Sequence, residues 1–495
     1  MLAFVIQRLV EAHQKLFFLV TSAIFLTFTP LIHADFIVTK LMDTVVDPCA
    51  LTIEGGFGRA INGLSFQQDA VVTHAGHQYV AYYDGHRRVC IARRKLPSGT
   101  WRTIRFSDYD FRSNDAHNVI SLGVCPSDGT IHLAFDHHGH PLHYRRSQPS
   151  AATDPQSVEW AASLFGPITN QLESGKPIRI TYPRFIRTPD GDLQFCYRRG
   201  GSGNGDRMLV EYDGKTGRWT GTRQIDSGDG LFTDAMGQSL SRCSYPNGYT
   251  YGPCGNLHTT WVWRESSQGA NHDLIYVFSR DRGRTWLNNA GDPLSEPPHV
   301  NSPGVTVVPI TRGYGLMNTH GQAVDSQGRI HVVMWHCTDE TLEAAGSKPG
   351  QMRWGPPKAR RYLHYWRDSD GVWHHRQLPG RVGTRPKVFM DADNSAFVIY
   401  ATPETSAQLA DGHLHRRGDL VIAAASAQSK WTDWEVVHTE RGPFLNEMLG
   451  DPFRWKAEST LSIMVQKSPR QAHQSTPLRI LDFGIQSAAR RRSEQ

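Results

Sequence analysis

Apolar residues fall in short alternating runs along the chain rather than in long helical stripes. Ile131-His132-Leu133-Ala134-Phe135 follows Asp128-Gly129, Leu193-Gln194-Phe195 follows Asp190-Gly191, and Ile330-His331-Val332-Val333 follows Gly328. Runs of this length with a period of two, set behind Gly-containing turns, predict strands joined by hairpins. Weaker copies stand at 79–82, 257–261, 396–399 and 461–464, and each of the seven copies is followed by a further apolar run, at 89–91, 142–144, 209–212, 274–277, 363–366, 420–422 and 478–480. The unit of strand, turn, strand and third strand recurs about every sixty residues, seven times in all.

Such short antiparallel units cannot each bury their own faces, and stacking them radially protects their edges. The repeat therefore predicts an all-β fold, a seven-bladed β-propeller of four-stranded antiparallel sheets, over residues 35–484; a tandem pair of sandwiches is the alternative. Phe36-Ile37-Val38 is the candidate for a strand that closes the ring. Ser279-Arg280-Asp281-Arg282-Gly283-Arg284-Thr285-Trp286 matches the pattern S-x-D-x-G-x-T-W, a turn found in sialidase-like propellers whose Ser and Asp cap backbone groups. That motif is structural and assigns no chemistry.

Composition changes the picture little: 39% hydrophobic, 20% charged, 45 Gly and 28 Pro in 495 residues exclude disorder, collagen and coiled coil. A net charge of +6 with no basic helix, zinc-finger spacing or RNA-binding motif argues against nucleic acid and for an acidic carbohydrate. The seven cysteines are widely spaced, odd in number and without a CxxC pair, which is no disulfide scaffold. At the amino terminus an apolar run over 16–32 behind Lys15 ends at His33-Ala34. This predicts a signal peptide over 1–34 and a secreted or periplasmic protein, with no membrane insertion once the leader is removed; an uncleaved anchor over 16–32 is the alternative. A basic polar tail fills 485–495.

The 24 histidines matter through their placement. In a propeller blade, the start of the first strand, the end of the second and the start of the third meet at one rim. That rule gathers His117 with Asp136-His137-His138-Gly139-His140 from the second unit, and Tyr182 with Arg198 and Arg199 from the third. Tyr245, Arg264 and Asn271-His272-Asp273 come from the fourth, and His320, His336 and Cys337 from the fifth. His132, His258 and His331 sit inside second strands and are read as packing residues. A glycosidase ordinarily needs two carboxylates across the scissile bond, whereas this rim is rich in imidazole, phenol and guanidinium. That set suits β-elimination at a uronic acid. A base removes the proton beside the carboxylate, cations or donors stabilise the dianion, and an acid protonates the leaving oxygen.

Asp115-Ala116-His117-Asn118, Ala134-Phe135-Asp136-His137, Tyr182-Pro183-Arg184-Phe185 with Tyr197-Arg198, and Trp261-Val262-Trp263-Arg264-Glu265 with Asn271-His272-Asp273 carry a resemblance over roughly 64–483. The chain resembles the BNR-repeat propeller proteins that include ulvan lyases, which cut a sulfated, uronate-containing polysaccharide. The resemblance implies His117, His137, Tyr182 and Arg198 as the catalytic set: Tyr182 as base, His117 sharing acid–base work, and His137 with Arg198 neutralising the carboxylate. It implies Tyr245 as a substrate contact; Arg199 and Arg264 are candidates for contacting sulfate, and His138 is a further candidate for substrate binding. It also implies a structural zinc, for which His272, His320, His336 and Cys337 are the candidates because imidazole and thiolate suit zinc, and no organic cofactor. A sialidase-like hydrolase, and a carbohydrate-binding propeller without chemistry, are the competing functions. The hydrolase would need an arginine trio and a Tyr–Glu nucleophile pair that this rim does not assemble.

Overall fold

The computed structural model describes residues 36–487 apart from 56–57, 202, 267–268, 404–416 and 472. The leader over 1–34 lies outside the described residues, as does the tail beyond Ser487; residues 485–487 complete the strand Thr476–Ser487. No helix among the described residues is long and apolar enough to cross a membrane.

The repeat closes into a seven-bladed β-propeller. The first blade runs Val71–His74, His77–Tyr83, Arg88–Lys95 and Arg102–Asp110; the second runs Ile120–Val124, Ile131–Phe135 and Tyr144–Arg146. Arg179–Arg187, Leu193–Arg199, Asp206–Asp213 and Arg218–Gln224 make the third, and Arg242–Tyr251, Leu257–Glu265, Asn271–Ser279 and Thr306–Val308 the fourth. The fifth comprises Gly321–Val324, Ile330–His336, Arg361–Arg367 and Trp373–Gln377. The last two blades share the long strand Glu435–Gly450. Its first half pairs with Arg417–Ala425 and its end with Thr460–Lys467, so they merge into one seven-stranded sheet. Phe36–Ala50 pairs antiparallel with Thr476–Ser487 and supplies the outer strand of the last blade, which ties the two ends of the described chain together.

The second strands are buried on both faces, because neighbouring blades stack on each side of them. Tightly packed apolar clusters therefore lie between blades, as where Cys196, Leu209, Trp261, Trp263 and Ile275 meet Trp286. The 279–286 turn behaves as its pattern predicts: Ser279 Oγ accepts from the Gly283 N–H at 2.7 Å, Asp281 accepts from the Arg284 and Thr285 N–H groups, and Trp286 is buried. The interior histidines are buried and hydrogen-bonded within their blades. His132 bonds Tyr144 Oη and Thr130 Oγ1, His258 bonds Tyr276 Oη, and His331 bonds His364 and Asp325. All seven cysteines are free.

One irregularity positions the site. The short strand His138–Pro141, which leaves the second blade, hydrogen-bonds the inner strand of the third and sets His138 opposite Thr181. On its other side Thr181 pairs with Arg198, and the register then slips before Arg184. Tyr182 occupies this bulge at φ 55°. That left-handed conformation costs a non-glycine residue about 1 kcal/mol and persists only where the surroundings impose it. Bulges of this kind re-aim a side chain out of the ladder.

Candidate active site

The rim between the second, third and fourth blades gathers Asp115, His117, His138, Tyr182, Arg198 and Tyr245. His117 and His138 stack with ring centres 4.4 Å apart, and Tyr182 lies 5.9 Å from the first and 5.8 Å from the second. Tyr245 stands 5.8 Å beyond Tyr182, and the Arg198 guanidinium lies 5.1 Å from the Tyr182 ring centre and 4.3 Å from that of Tyr245. Arg198 is buried and held by backbone carbonyls: Nη2 donates to Ser244 O at 2.5 Å and Nη1 to Gly201 O at 3.3 Å. Phe66 stacks on Tyr182 at 4.4 Å and 12°, fixing the phenol plane.

Asp115 governs the two imidazoles. Its Oδ1 bonds His117 Nδ1 and its Oδ2 bonds His138 Nδ1, the latter at 2.5 Å. The two histidines, with burial opposing them, hold the Asp115 carboxyl well below its usual range, so it is ionised and both Nδ1 atoms donate. Nε2 of each ring is then turned away from Asp115. Burial pushes the His117 pKa down, against the pull of Asp115, which keeps that imidazole neutral and competent as an acceptor. Nε2 of His138 has no hydrogen-bond partner. Behind this layer Asp136, itself at φ 63°, accepts from Tyr109 Oη and from the Asn118 amide.

His117, Tyr182, Arg198, Tyr245, Arg264 and His138 thus come together as the rim rule expects. Arg264 joins through Nη1, which donates to Tyr245 Oη at 3.3 Å. His137 does not join. Its Nε2 accepts from the His143 N–H at 2.8 Å and its ring stacks on His143, buried inside the blade. The left-handed turn at Asp136 presents the next residue, His138, to the site instead. Arg199 points to solvent and pairs with Asp206 at 3.5 Å. Asp115 and Phe66 were absent from the sequence-derived set; Asp115 stands in the quoted 115–118 motif, whereas Phe66, in an irregular stretch, carries no periodic signal.

Of the four zinc candidates, His272 and His336 have both nitrogens engaged, while His320 keeps a buried Nδ1 without a partner. His272 bonds Asp273 Oδ2 through Nδ1 at 3.0 Å and Glu265 Oε1 through Nε2 at 2.8 Å, and His336 bonds the Cys337 carbonyl at 2.6 Å and Tyr365 Oη at 2.7 Å. His320 Nε2 accepts from the Trp335 N–H at 3.3 Å. The Cys337 thiol is packed with Leu342 and Ala359, where burial pushes its pKa up to about 11. No three of these four bring their ligand atoms close enough together to share an ion. Among the described residues, Asp115, His117 and His138 form the group whose ligand atoms lie close enough to share an ion, within 4.8 Å of one another.

A model of the BNR repeat-containing family matches residues 77–381. A long-isoform ulvan lyase of Alteromonas sp is 27% identical over 295 residues, 49% of this chain and 28% of that protein. A short-isoform ulvan lyase of Alteromonas sp. (strain LOR) is 28% identical over 206 residues, 33% of this chain and 38% of that protein. The chain therefore spans well under half the length of the curated relatives it matches. Among solved structures, the polysaccharide lyase Uly1 superposes with a TM-score of 0.67 at 17% identity, covering 90% of this chain and 99% of the other. An ulvan lyase of polysaccharide lyase family PL25 gives 0.62 at 14% identity, covering 91% and 99%, and has also been solved bound to -[GlcA(1-4)Rha3S]-. At these identities the superpositions show the fold.

Proposed function

The chain belongs to the BNR repeat-containing family, and from that membership and the rim site we propose that it is a secreted polysaccharide lyase. Its substrate would be a sulfated glycan of the ulvan type, cut at its uronic acids by β-elimination to leave unsaturated uronyl ends. The observation that carries this reading is the meeting of Tyr182, His117, His138 and Arg198 over one end of the ring. The relatives named ulvan lyase, and the related structure holding a glucuronate–rhamnose-sulfate chain, support the substrate class.

Arg198 is a permanent cation fixed by backbone carbonyls, and it faces the uronate carboxylate without needing to move. Neutralising that carboxylate acidifies the adjacent C–H and stabilises the dianion formed when the proton leaves. His138 supports the same carboxylate when its Nε2 carries a proton and donates, with Asp115 on Nδ1 balancing the ring's charge from behind. Tyr182 is the base that removes the proton, and its hydroxyl returns one to the departing glycosidic oxygen. His117, kept neutral, first takes the phenol proton so that Tyr182 can act as the base, and returns it to the phenolate once the abstracted proton has gone to the leaving oxygen. A hydrolytic reading has weak support, since the one carboxylate in the cluster is occupied by two imidazoles and retaining or inverting hydrolysis needs a pair.

Tyr182→Phe tests the assignment directly. Incubation of ulvan with the wild type should raise the ultraviolet absorbance of unsaturated uronates, and the variant should lose that signal while binding polymer. New reducing ends without absorbance in the wild type, or retained activity in the variant, would overturn it.

A further inference from the structure

Beyond Tyr245 the rim carries two arginines side by side. Arg264 ends the strand Leu257–Glu265 and lies with Cζ 5.6 Å from the centre of the Tyr245 ring. Arg353 comes from the long connection after Ile330–His336. It donates from Nη2 to Gly269 O at 3.1 Å and stacks 4.7 Å over Trp354. The two guanidiniums flank one glycine: a Cβ on Gly269 would stand 3.1 Å from Arg264 Nη2 and overlap Arg353 Nη2. Gly269 adopts φ +61°, so the turn and the close approach both require glycine.

Apart from Arg198, which backbone carbonyls hold, three nearby arginines are neutralised by carboxylates. Arg199 pairs with Asp206, Arg242 with Glu265 at 2.7 Å, and Arg312 with Asp234. Arg264 and Arg353 have no carboxylate at ion-pair distance among the described residues, and Arg264 Nε is buried without a partner. Burial, and then the Arg264 cation beside it, push the Arg353 guanidinium below its ordinary pKa. Two adjacent unpaired guanidiniums, held by separate aromatic rings beside a substrate-contacting tyrosine, are the arrangement an incoming anion completes.

We infer that Arg264 and Arg353 form a subsite for a sulfate ester on the sugar next to the uronate. A sulfate ester offers three terminal oxygens arranged around one sulfur, so it can accept from two guanidiniums that reach it from different blades. The inference rests on the lyase reading and names the second anion that reading leaves without a partner.

The test uses the full chain with ulvan and with the same polymer chemically desulfated. Arg353 is exposed, so Arg353→Gln should fold. The ratio of kcat/KM on sulfated over desulfated polymer should fall about tenfold in the variant, the worth of one charge-assisted contact. Affinity electrophoresis in gels containing each polymer reads binding without turnover, and there the variant should lose retardation on the sulfated polymer alone. Arg353→Lys, which keeps charge without the fork, should fall between. An unchanged ratio and unchanged retardation, or an equal loss on both polymers, overturns the subsite. Retardation that depends on sulfate and on Arg353, with no unsaturated product from the wild type, would uphold the subsite and remove the lyase reading.

Discussion

At Asp115 one carboxylate serves two imidazoles, while at His272 two carboxylates serve one. The two places lie on the same rim but are built from different parts of the repeat, Asp115 and His117 ahead of a first strand and His272 at the start of a third. Asp115 takes the Nδ1 protons of His117 and His138 and leaves both Nε2 atoms for something else. Glu265 and Asp273 occupy both nitrogens of His272, Arg242 closes on Glu265 at 2.7 Å, and Phe232 stacks over the ring at 3.8 Å. The difference teaches that the ratio of carboxylate to imidazole, rather than the presence of histidine, separates a reactive group from a structural one. Burial keeps His117 neutral against one shared carboxylate. At His272 burial also opposes the charge, but bonds to Asp273 and Glu265 outweigh it and raise the pKa.

Breaking the sharing at Asp115 should have the largest effect. Asp115→Asn removes the acceptor that fixes both tautomers, and kcat should fall about 10³-fold, within the usual span for a general acid–base device. Because Asp115 raises the His117 pKa, its loss should also move the acid limb of the pH–rate profile to lower pH. A variant with wild-type kcat and an unmoved limb would leave Asp115 as mere surface charge. The matching change at the other place acts on stability. Glu265→Gln strips a buried acceptor from both His272 and Arg242 and should cost about 3 kcal/mol in denaturant unfolding, with kcat of the folded protein little altered. A large fall in kcat with intact stability would put Glu265 in the chemistry.

Much of this was legible in the sequence. Every second-strand run found by its alternation lies within a strand, and the rim rule brought together His117, Tyr182, Arg198, Tyr245 and Arg264 from residues far apart in the chain. What escaped it was direction. A rim position says that a residue is near, but the φ 63° turn at Asp136 decides that His138 rather than His137 faces the site. For two of the zinc candidates, nearness in the repeat likewise did not reveal that carboxylates hold both nitrogens of His272 and that Tyr365 and a carbonyl hold those of His336. Arg353 was invisible because its connection has no periodicity to place it.

The choice between adjacent histidines yields the next test. His138→Gln should lower kcat roughly 10²-fold. His137→Gln should spare kcat and cost about 1 kcal/mol of stability, through the bond from the His143 N–H. The reverse pattern would restore His137 to the site.

The smallest effect concerns pH. A histidine whose folded pKa lies above its unfolded value near 6.5 stabilises the fold fully below about pH 6.5, and that contribution is lost as pH rises through the folded pKa. His272 is such a group. His132, His258 and His364, held neutral by burial, have lowered pKa values and act with opposite sign below that window. Between pH 6.5 and the raised pKa, wild-type stability should therefore decline relative to His272→Gln by up to about 1.4 kcal/mol per pH unit, one proton's worth. Denaturant unfolding of both proteins across that range measures the difference. Parallel curves would mean that His272 is neutral in the fold, and the contrast with Asp115 would then reduce to hydrogen-bond count without charge.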